Sequence, residues 1–494
     1  MKMVKCVYNE EEHGMRKQSV KVNIIYQMIY EVLALALPLV TTPYISRVLG
    51  AEGIGVYSYT YSIAYYFGLI GMLGVKNHGN REIARSRSTK DSIERTFTSI
   101  YTIQLFCSIV MTVLFLGSVL LIDGRLKVFY FIQVIYVISC ALDINWFFWG
   151  LEEFKVTVLG NSIIKIANLV TIFVFVKNPN DLWKYCLIMT TCCLGSQLIM
   201  WIYFFRKYRF KKVYFCDIKQ HIKPMLLLFI PVVAVSLFNV MDKVMVGGMS
   251  SKDQLGYYEN SEKIINCVKT IITSFGTVMM PRMAKLVSDK NDSQRDYYMS
   301  MSSEGIFFIS FALCFGLISV SNHFAPIFFG TEFTACGSLM VGLALSLPFS
   351  AFANFIRTQF LIPNSYDTVY IIAVITGATL NVVINAVSIP HFLAMGAVIG
   401  TIIAEGSVCI VQCFLIRKEL KLITFYKKMV PYIISGTIMT VAVFSLGKVL
   451  DTGLLSLVVK ILIGGIIYCL CALLYWCISK NEIWGIVCGI MRRK

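Results

Sequence analysis

Gly55-Val-Tyr-Ser-Tyr-Thr-Tyr-Ser-Ile63 returns 201 residues further along as Gly256-Tyr-Tyr-Glu-Asn-Ser-Glu-Lys-Ile264. The same offset carries Arg81, in Asn80-Arg-Glu-Ile-Ala84, onto Arg282, in Pro281-Arg-Met-Ala-Lys285. Upstream, Ser46-Arg-Val-Leu-Gly50 resembles Asp242-Lys-Val-Met-Val-Gly247, with a short insertion after the second copy, and Pro38 and Pro231 sit at similar depths. Three features in one order at nearly one spacing indicate an internal duplication. Chance likeness between loop ends rich in Gly and Tyr is the plainer alternative.

The sequence between the copies is apolar. The 494 residues are 57% hydrophobic and 15% charged, with a mean hydropathy of +0.70. A soluble domain is roughly 45–50% apolar and about 25% charged. Here the excess arrives in repeated stretches, each long enough to cross a bilayer as a helix, which takes about 20 residues. Fourteen spans are read, at 22–46, 55–78, 96–121, 127–149, 156–177, 183–205, 224–248, 256–280, 301–321, 336–360, 367–389, 394–416, 429–447 and 453–478. The two copies begin on the same side, six spans apart, which makes a parallel repeat about an axis along the membrane normal. The expected fold is an all-α polytopic membrane protein of two pseudo-repeated six-helix lobes plus two extra helices. Its segments are an N-terminal tail at 1–21, an N-lobe at 22–205, a basic linker at 206–223, a C-lobe at 224–416, a basic loop at 417–428, spans 13 and 14 at 429–478 and a C-terminal tail at 479–494.

The formal net charge is +17. On a soluble protein this would suggest nucleic acid, but the basic residues lie in short segments between spans and no nucleic-acid motif accompanies them. The tails and the connections after even-numbered spans hold 31 Lys and Arg, against seven in the connections after odd-numbered spans. Basic loops stay cytoplasmic. Both termini are therefore expected in the cytoplasm, with the chain multi-pass in a bacterial cytoplasmic membrane. The N-terminus has no short apolar core followed by a cleavage site, so the first span is expected to be retained.

No catalytic constellation is visible. Walker A, His-Glu-x-x-His and Gly-x-Ser-x-Gly patterns are absent, and His78, His221, His323 and His391 are isolated along the chain. The 16 cysteines mostly fall within spans and lack metal spacing, which suits small apolar packing groups. No cofactor and no metal is expected, and no enzyme activity.

A charge at mid-bilayer costs on the order of 2.5–3.5 kcal/mol on insertion scales and usually faces a cavity or a partner. Span 8 carries Glu259, Glu262, Lys263, Asn266, Lys269, Thr270, Thr273 and Thr277 at steps of three and four, which keep them on one face. Span 5 has Asn161, Lys165 and Asn168; span 10 has Asn354 and Arg357; span 1 has Glu31 and ends at Arg47; span 7 adds Asp242 and Lys243. Pairing of Asp242 with Lys243, or of Glu262 with Lys269, would explain single residues. Stripes on several helices of both lobes suggest a shared, mildly cationic cavity suited to an anionic headgroup. Arg47, Lys243, Lys263, Lys269 and Arg357 are the candidate anion ligands, with Arg47 and Lys243 in matching places in the two copies. Glu31, Asp143 and Glu405 are candidates for ion coupling. Tyr61, Tyr65 and Asn266 are candidates to face sugars, although tyrosines near span ends also suit an interfacial belt.

Arg47-Val-Leu-Gly-Ala-Glu-Gly-Ile-Gly-Val-Tyr57, Asn80-Arg-Glu-Ile-Ala-Arg85, Asp143-Ile-Asn-Trp-Phe-Phe-Trp-Gly-Leu-Glu-Glu153 and Asp242-Lys-Val-Met-Val-Gly247 resemble the polysaccharide repeat-unit flippases of the multidrug/oligosaccharidyl-lipid/polysaccharide exporter superfamily. The resemblance spans essentially the whole chain. It implies two six-helix lobes around a central cavity, alternating access, and an undecaprenyl-diphosphate-linked oligosaccharide moved to the outer leaflet for surface polysaccharide. It also implies membrane lipids as surroundings, a polysaccharide polymerase and export machinery as partners, and a monomeric transporter. A cation-coupled drug antiporter of the same superfamily would want carboxylates dominating the cavity. A membrane-embedded polysaccharide-assembly enzyme would want a large external loop, whereas the longest external connection, 322–335, is short and free of Lys and Arg.

The charge bias makes a topological prediction. A cysteine placed at Lys212, in a background cleared of native cysteines, should react with an impermeant thiol reagent in inverted vesicles and not in intact cells. Labelling from outside intact cells would reverse the assigned orientation.

Overall fold

The computed structural model describes residues 20–122, 124–449, 453–479 and 484. The expected tails at 1–21 and 479–494 lie almost wholly outside them. Among the described residues the chain is helical and has no strand. Twelve helices are long and apolar enough to cross a membrane. The first helix, α1 (Val20–Met72), supplies two more crossings, because its 53 residues break at Gly50. At 1.5 Å per residue it would run about 80 Å if straight, against a hydrocarbon core of about 30 Å. Gly50 has φ 70° and ψ 178°, a conformation open to glycine and strained for other residues. It divides the chain into the fourteen expected crossings, as two pseudo-repeated lobes and a final pair.

Three spans end or break where the apolar pattern runs on. The second crossing stops at Met72, and a separate helix, α2 (Val75–Arg85), follows after a turn at Leu73 and Gly74, both with positive φ. The fourth breaks between Lys127–Ala141 and Asn145–Gly150, with Asp143 in the gap accepting the Asn145 backbone N–H at 3.0 Å. The tenth breaks between Ala335–Ala344 and Leu347–Ile356, where Pro348 sits in the first turn of the second piece, and ends in a wide turn over Arg357–Leu361. Proline suits a helix start and would remove a hydrogen bond within one.

The N-lobe core is aromatic. Phe97 stacks on Trp146 at 5.5 Å and on Phe204 at 4.3 Å, and the Trp146 indole donates to Gln104 at 3.0 Å. Two histidines isolated in sequence meet here: His78 Nε2 lies 2.9 Å from His221 Nδ1, tying α2 to the start of the helix Phe215–Met249. The last two helices dock on the C-lobe through Glu304, which is 1% exposed. Its carboxylate accepts the Tyr432 hydroxyl at 2.5 Å and the Tyr475 hydroxyl at 3.4 Å, with Lys428 at 3.4 Å.

The lobes meet at the end that the charge bias assigns to the outside. Gly55 packs on the backbone carbonyl of Lys252, and Gly256 packs on that of Ala51, so closely that a methyl group at either glycine would overlap the oxygen. These contacts are related by the 201-residue offset, as is the pair of Tyr59 on Gly247 with the Asn260–Ser46 hydrogen bond of 2.8 Å. The duplicated segments thus face each other across the pseudo-axis. Two caps close the rim. Arg47 donates to the carbonyls of Ile327 and Phe328 at 2.8 and 3.3 Å, at the C-terminal end of the helix Asp292–Phe329. Glu332 accepts the Ala51 N–H at 3.0 Å, where α1 resumes after Gly50. A cation at a helix C-terminus and a carboxylate on a free N–H are each favourable.

Gly55→Val should wedge this seam apart. A cysteine replacing the buried Ile54 should then react with an external impermeant reagent several-fold faster. Gly117→Val is the control, since a side chain there meets nothing within 4 Å. Equal rates in both variants would show that the glycine contact does not hold the seam.

Candidate functional site

Beneath the seam lies a cavity of about 360 Å³ between the lobes. Thr41, Thr42, Tyr57, Ser58 and Tyr61 of α1 form part of its N-lobe wall, with Lys165, Asn168 and Tyr185; Lys243, Glu259, Asn260 and Lys263 form its C-lobe wall.

The N-lobe wall follows from helical spacing. Tyr57, Tyr61 and Tyr65 recur at steps of four on α1. Tyr57 and Tyr61 stack at 5.8 Å, Tyr57 meets Tyr185 edge-on at 4.9 Å, Tyr61 contacts Tyr136 at 4.9 Å, and Tyr65 extends the row at 6.4 Å from Tyr61. Rings fixed by neighbouring rings present a rigid face at little entropic cost.

The C-lobe wall is charged. Lys243 Nζ lies 2.8 Å from Glu259 and 3.0 Å from Glu262, and Lys263 lies 3.3 Å from Glu259. Glu259 also accepts the Ser58 hydroxyl, from the opposite lobe, at 2.8 Å. Side-chain exposures of 19% for Lys243 and 12% for Glu259 place the cluster largely out of water, where a charge requires a partner. Lys165, Lys243 and Lys263 line the cavity with Glu259, and Glu262 reaches Lys243 beside it, so lysines exceed carboxylates by one although Lys243 and Lys263 are both engaged.

Asp242 does not pair with Lys243, the pairing considered from sequence. Its carboxylate is 3% exposed and accepts from Tyr258 at 2.7 Å, Asn385 at 2.6 Å and Thr401 at 3.0 Å. Asn385 also donates to Asn381 at 3.3 Å. Three neutral donors thus hold the Asp242 carboxylate within the C-lobe. Among the described residues no group of three or more His, Cys, Asp and Glu is placed to hold a metal ion.

The structure brings Lys243, Lys263 and Tyr61 together around one cavity, with Tyr65 behind Tyr61. The other candidates lie elsewhere. Arg47 is at the rim, on C-lobe carbonyls. Lys269 is 2.6 Å from Glu405, an ion pair that occupies both. Arg357 donates to the Tyr370 hydroxyl at 3.3 Å. Asn266 is exposed, and Asp143 pairs with Lys76 at 3.6 Å while capping Asn145. The Glu31 side chain lies outside the described residues. Ser58 and Tyr185 were not legible as site residues from composition. The 201-residue offset, which puts Ser58 opposite Glu259, is the signal that identifies the first.

The family described as polysaccharide biosynthesis protein matches residues 20–287. A putative O-antigen transporter of Shigella dysenteriae is 22% identical over 392 residues, which is 78% of this chain and 97% of that protein. A putative O-antigen transporter of Escherichia coli K12 is 23% identical over 276 residues, 54% of this chain and 66% of that protein. Among solved structures, the lipid II flippase MurJ in an inward closed conformation superposes with a TM-score of 0.75 at 14% identity, covering 93% of this chain and all of that one. At that identity the likeness is one of fold.

The engaged state of Lys243 makes a stability prediction. Lys243→Gln leaves the buried Glu262 without its cation and Glu259 with Lys263 alone, at a cost on the order of 3 kcal/mol. The variant should unfold several degrees lower in detergent, and adding Glu262→Gln should recover much of the loss. An unchanged unfolding temperature for the single variant would mean that the cluster is not held by charge.

Proposed function

The chain belongs to the polysaccharide biosynthesis protein family, and from that premise we propose that it is a flippase: it carries a polyprenyl-diphosphate-linked oligosaccharide from the inner to the outer leaflet of a bacterial cytoplasmic membrane, for assembly of a surface polysaccharide. The carrying observation is a cavity that combines three lysines, Lys243 and Lys263 on the C-lobe side and Lys165 on the N-lobe side, with the tyrosines of the N-lobe wall. Lysine ammonium groups act as compact charges on a diphosphate, and tyrosine faces take sugar rings. A volume of about 360 Å³ suits a headgroup, leaving the hydrocarbon tail in the bilayer. The surplus of lysine over carboxylate favours this reading over a cation-coupled drug antiporter.

Closure at the outer seam fits one half of an alternating-access cycle, in which the lobes rock about the pseudo-axis. An inside-negative potential would favour outward movement of the anionic headgroup by about 2.3 kcal/mol per charge per 100 mV. Coupling to an ion would fall to a buried carboxylate: Glu405 and Asp143 are held by lysines, and Asp242 by neutral donors alone. A polymerase and an export apparatus would act on the product.

Lys263→Gln tests the assignment. Lys263 makes one contact at 3.3 Å and is 33% exposed, so the fold depends on it less than on Lys243. In cells relying on the variant, transport should fall roughly tenfold, as for one lost charge-assisted contact. Undelivered lipid-linked oligosaccharide should accumulate on the inner leaflet while the protein stays at normal abundance. Normal transport would remove Lys263 from the cargo site.

A further inference from the structure

Glu259 is the only carboxylate among the described residues lining the cavity, and it touches both lobes. Its Oε2 lies 2.8 Å from Lys243 Nζ and accepts the Ser58 hydroxyl at 2.8 Å; its Oε1 lies 3.3 Å from Lys263 Nζ. The two lysines that suit an anionic cargo are therefore already joined to a carboxylate, and that carboxylate is bonded across the seam. Ser58 and Glu259 are equivalent positions of the two copies, 201 residues apart, so their bond crosses the pseudo-axis just below the glycine contacts of the closed rim.

We propose that Glu259 is a resident stand-in for the cargo's diphosphate. The arriving diphosphate takes Lys243 and Lys263, displaces the carboxylate, and thereby breaks the Ser58 link that holds the outer seam closed. This rests on the diphosphate-linked reading of the cargo. The chemistry favours the exchange in one direction. A diphosphate has more negative charge and more acceptor oxygens than a carboxylate, so it competes well for two ammonium groups. It also repels a carboxylate held beside it away from water. A ligand shifts a conformational equilibrium only through different affinity for the two states. The exchange supplies that difference: in the closed state the lysines are occupied by Glu259, and in the released state they are available. Without cargo, Glu259 returns to the lysines and the seam recloses. Glu262, 3.0 Å from Lys243, keeps a counter-charge on that lysine throughout.

The test uses the full-length protein in lipid nanodiscs, with spin labels at Glu52 and Ser251, one on each side of the seam, and farnesyl diphosphate as the probe. Farnesol is the neutral control. In the otherwise native protein, farnesyl diphosphate should lengthen the label distance and farnesol should not. Glu259→Gln should bind farnesyl diphosphate at least threefold more tightly, and its label distance should no longer respond. Ser58→Ala should show the longer distance before any probe is added, with affinity changed less than in Glu259→Gln. If Glu259→Gln binds no more tightly, or the native seam ignores a bound diphosphate, the exchange is wrong while the diphosphate site stands. If farnesyl diphosphate does not bind the native protein, the cargo reading fails and the exchange fails with it. Should Glu259→Gln not fold, the native and Ser58→Ala distances decide alone: an unresponsive native seam, or a Ser58→Ala seam as closed as the native one, overturns the proposal.

Discussion

Two backbones in van der Waals contact at the pseudo-axis set the geometry of everything beneath them. Gly55 rests on the carbonyl of Lys252 and Gly256 on that of Ala51, and neither position tolerates a side chain. The two contacts form a symmetric pair because both copies of the duplicated helix carry glycine at the same offset. It brings the polar faces of α1 and of the helix Lys252–Ser288 against one another a turn further down. The cavity, the cross-lobe hydrogen bond and the charge cluster all hang from that point. Arg47 and Glu332 guard the rim by satisfying helix ends of the facing lobe, so the closed seam uses hydrogen bonds that each lobe alone would leave unmet.

Below the seam a second constraint operates. Ionised groups within a bilayer require partners, and the C-lobe meets that demand internally: Lys243 with Glu259 and Glu262, Lys269 with Glu405, Asp242 with three neutral donors. Pairing keeps the apolar environment tolerable without removing the charges' capacity to be exchanged. A lysine held by a carboxylate on a cavity wall is a site at which one anion could replace another. Lys269, as exposed as Lys243, is not part of the cavity lining and lacks that access.

The crossings were legible because a helix needs about twenty apolar residues in a row. The breaks at Leu73–Gly74, around Asp143 and before Leu347 were not, since each rests on one or two residues, a glycine, an aspartate or a proline, inside a run apolar enough to be read as one span. Which polar faces meet was partly legible. Pairing Arg47 with Lys243 by motif put both at one site, yet the contacts across the axis follow the 201-residue offset, which matches Lys243 to Thr42 and Arg47 to Gly248. The motif alignment is five residues out, about 7.5 Å along a helix and well over a full turn around it. That displacement puts Arg47 on the rim and leaves Lys243 in the cavity. The offset makes Ser58 and Glu259 equivalent, and the structure puts that pair in contact on the axis.

The same offset explains why a duplicated scaffold presents two unlike walls. Tyr61 of the first copy corresponds to Glu262 of the second, and Ser62 to Lys263. One copy has kept aromatic and hydroxyl groups on the inward face while the other carries charge at the same depth. A perfectly symmetric cavity would offer each part of an asymmetric ligand two equal places. Divergence at these few positions would present the two ends of an asymmetric ligand with unlike walls, although Lys165 places one lysine on the tyrosine side. The glycines, in contrast, are retained in both copies at the seam, where the closure needs the symmetry that the binding walls have given up.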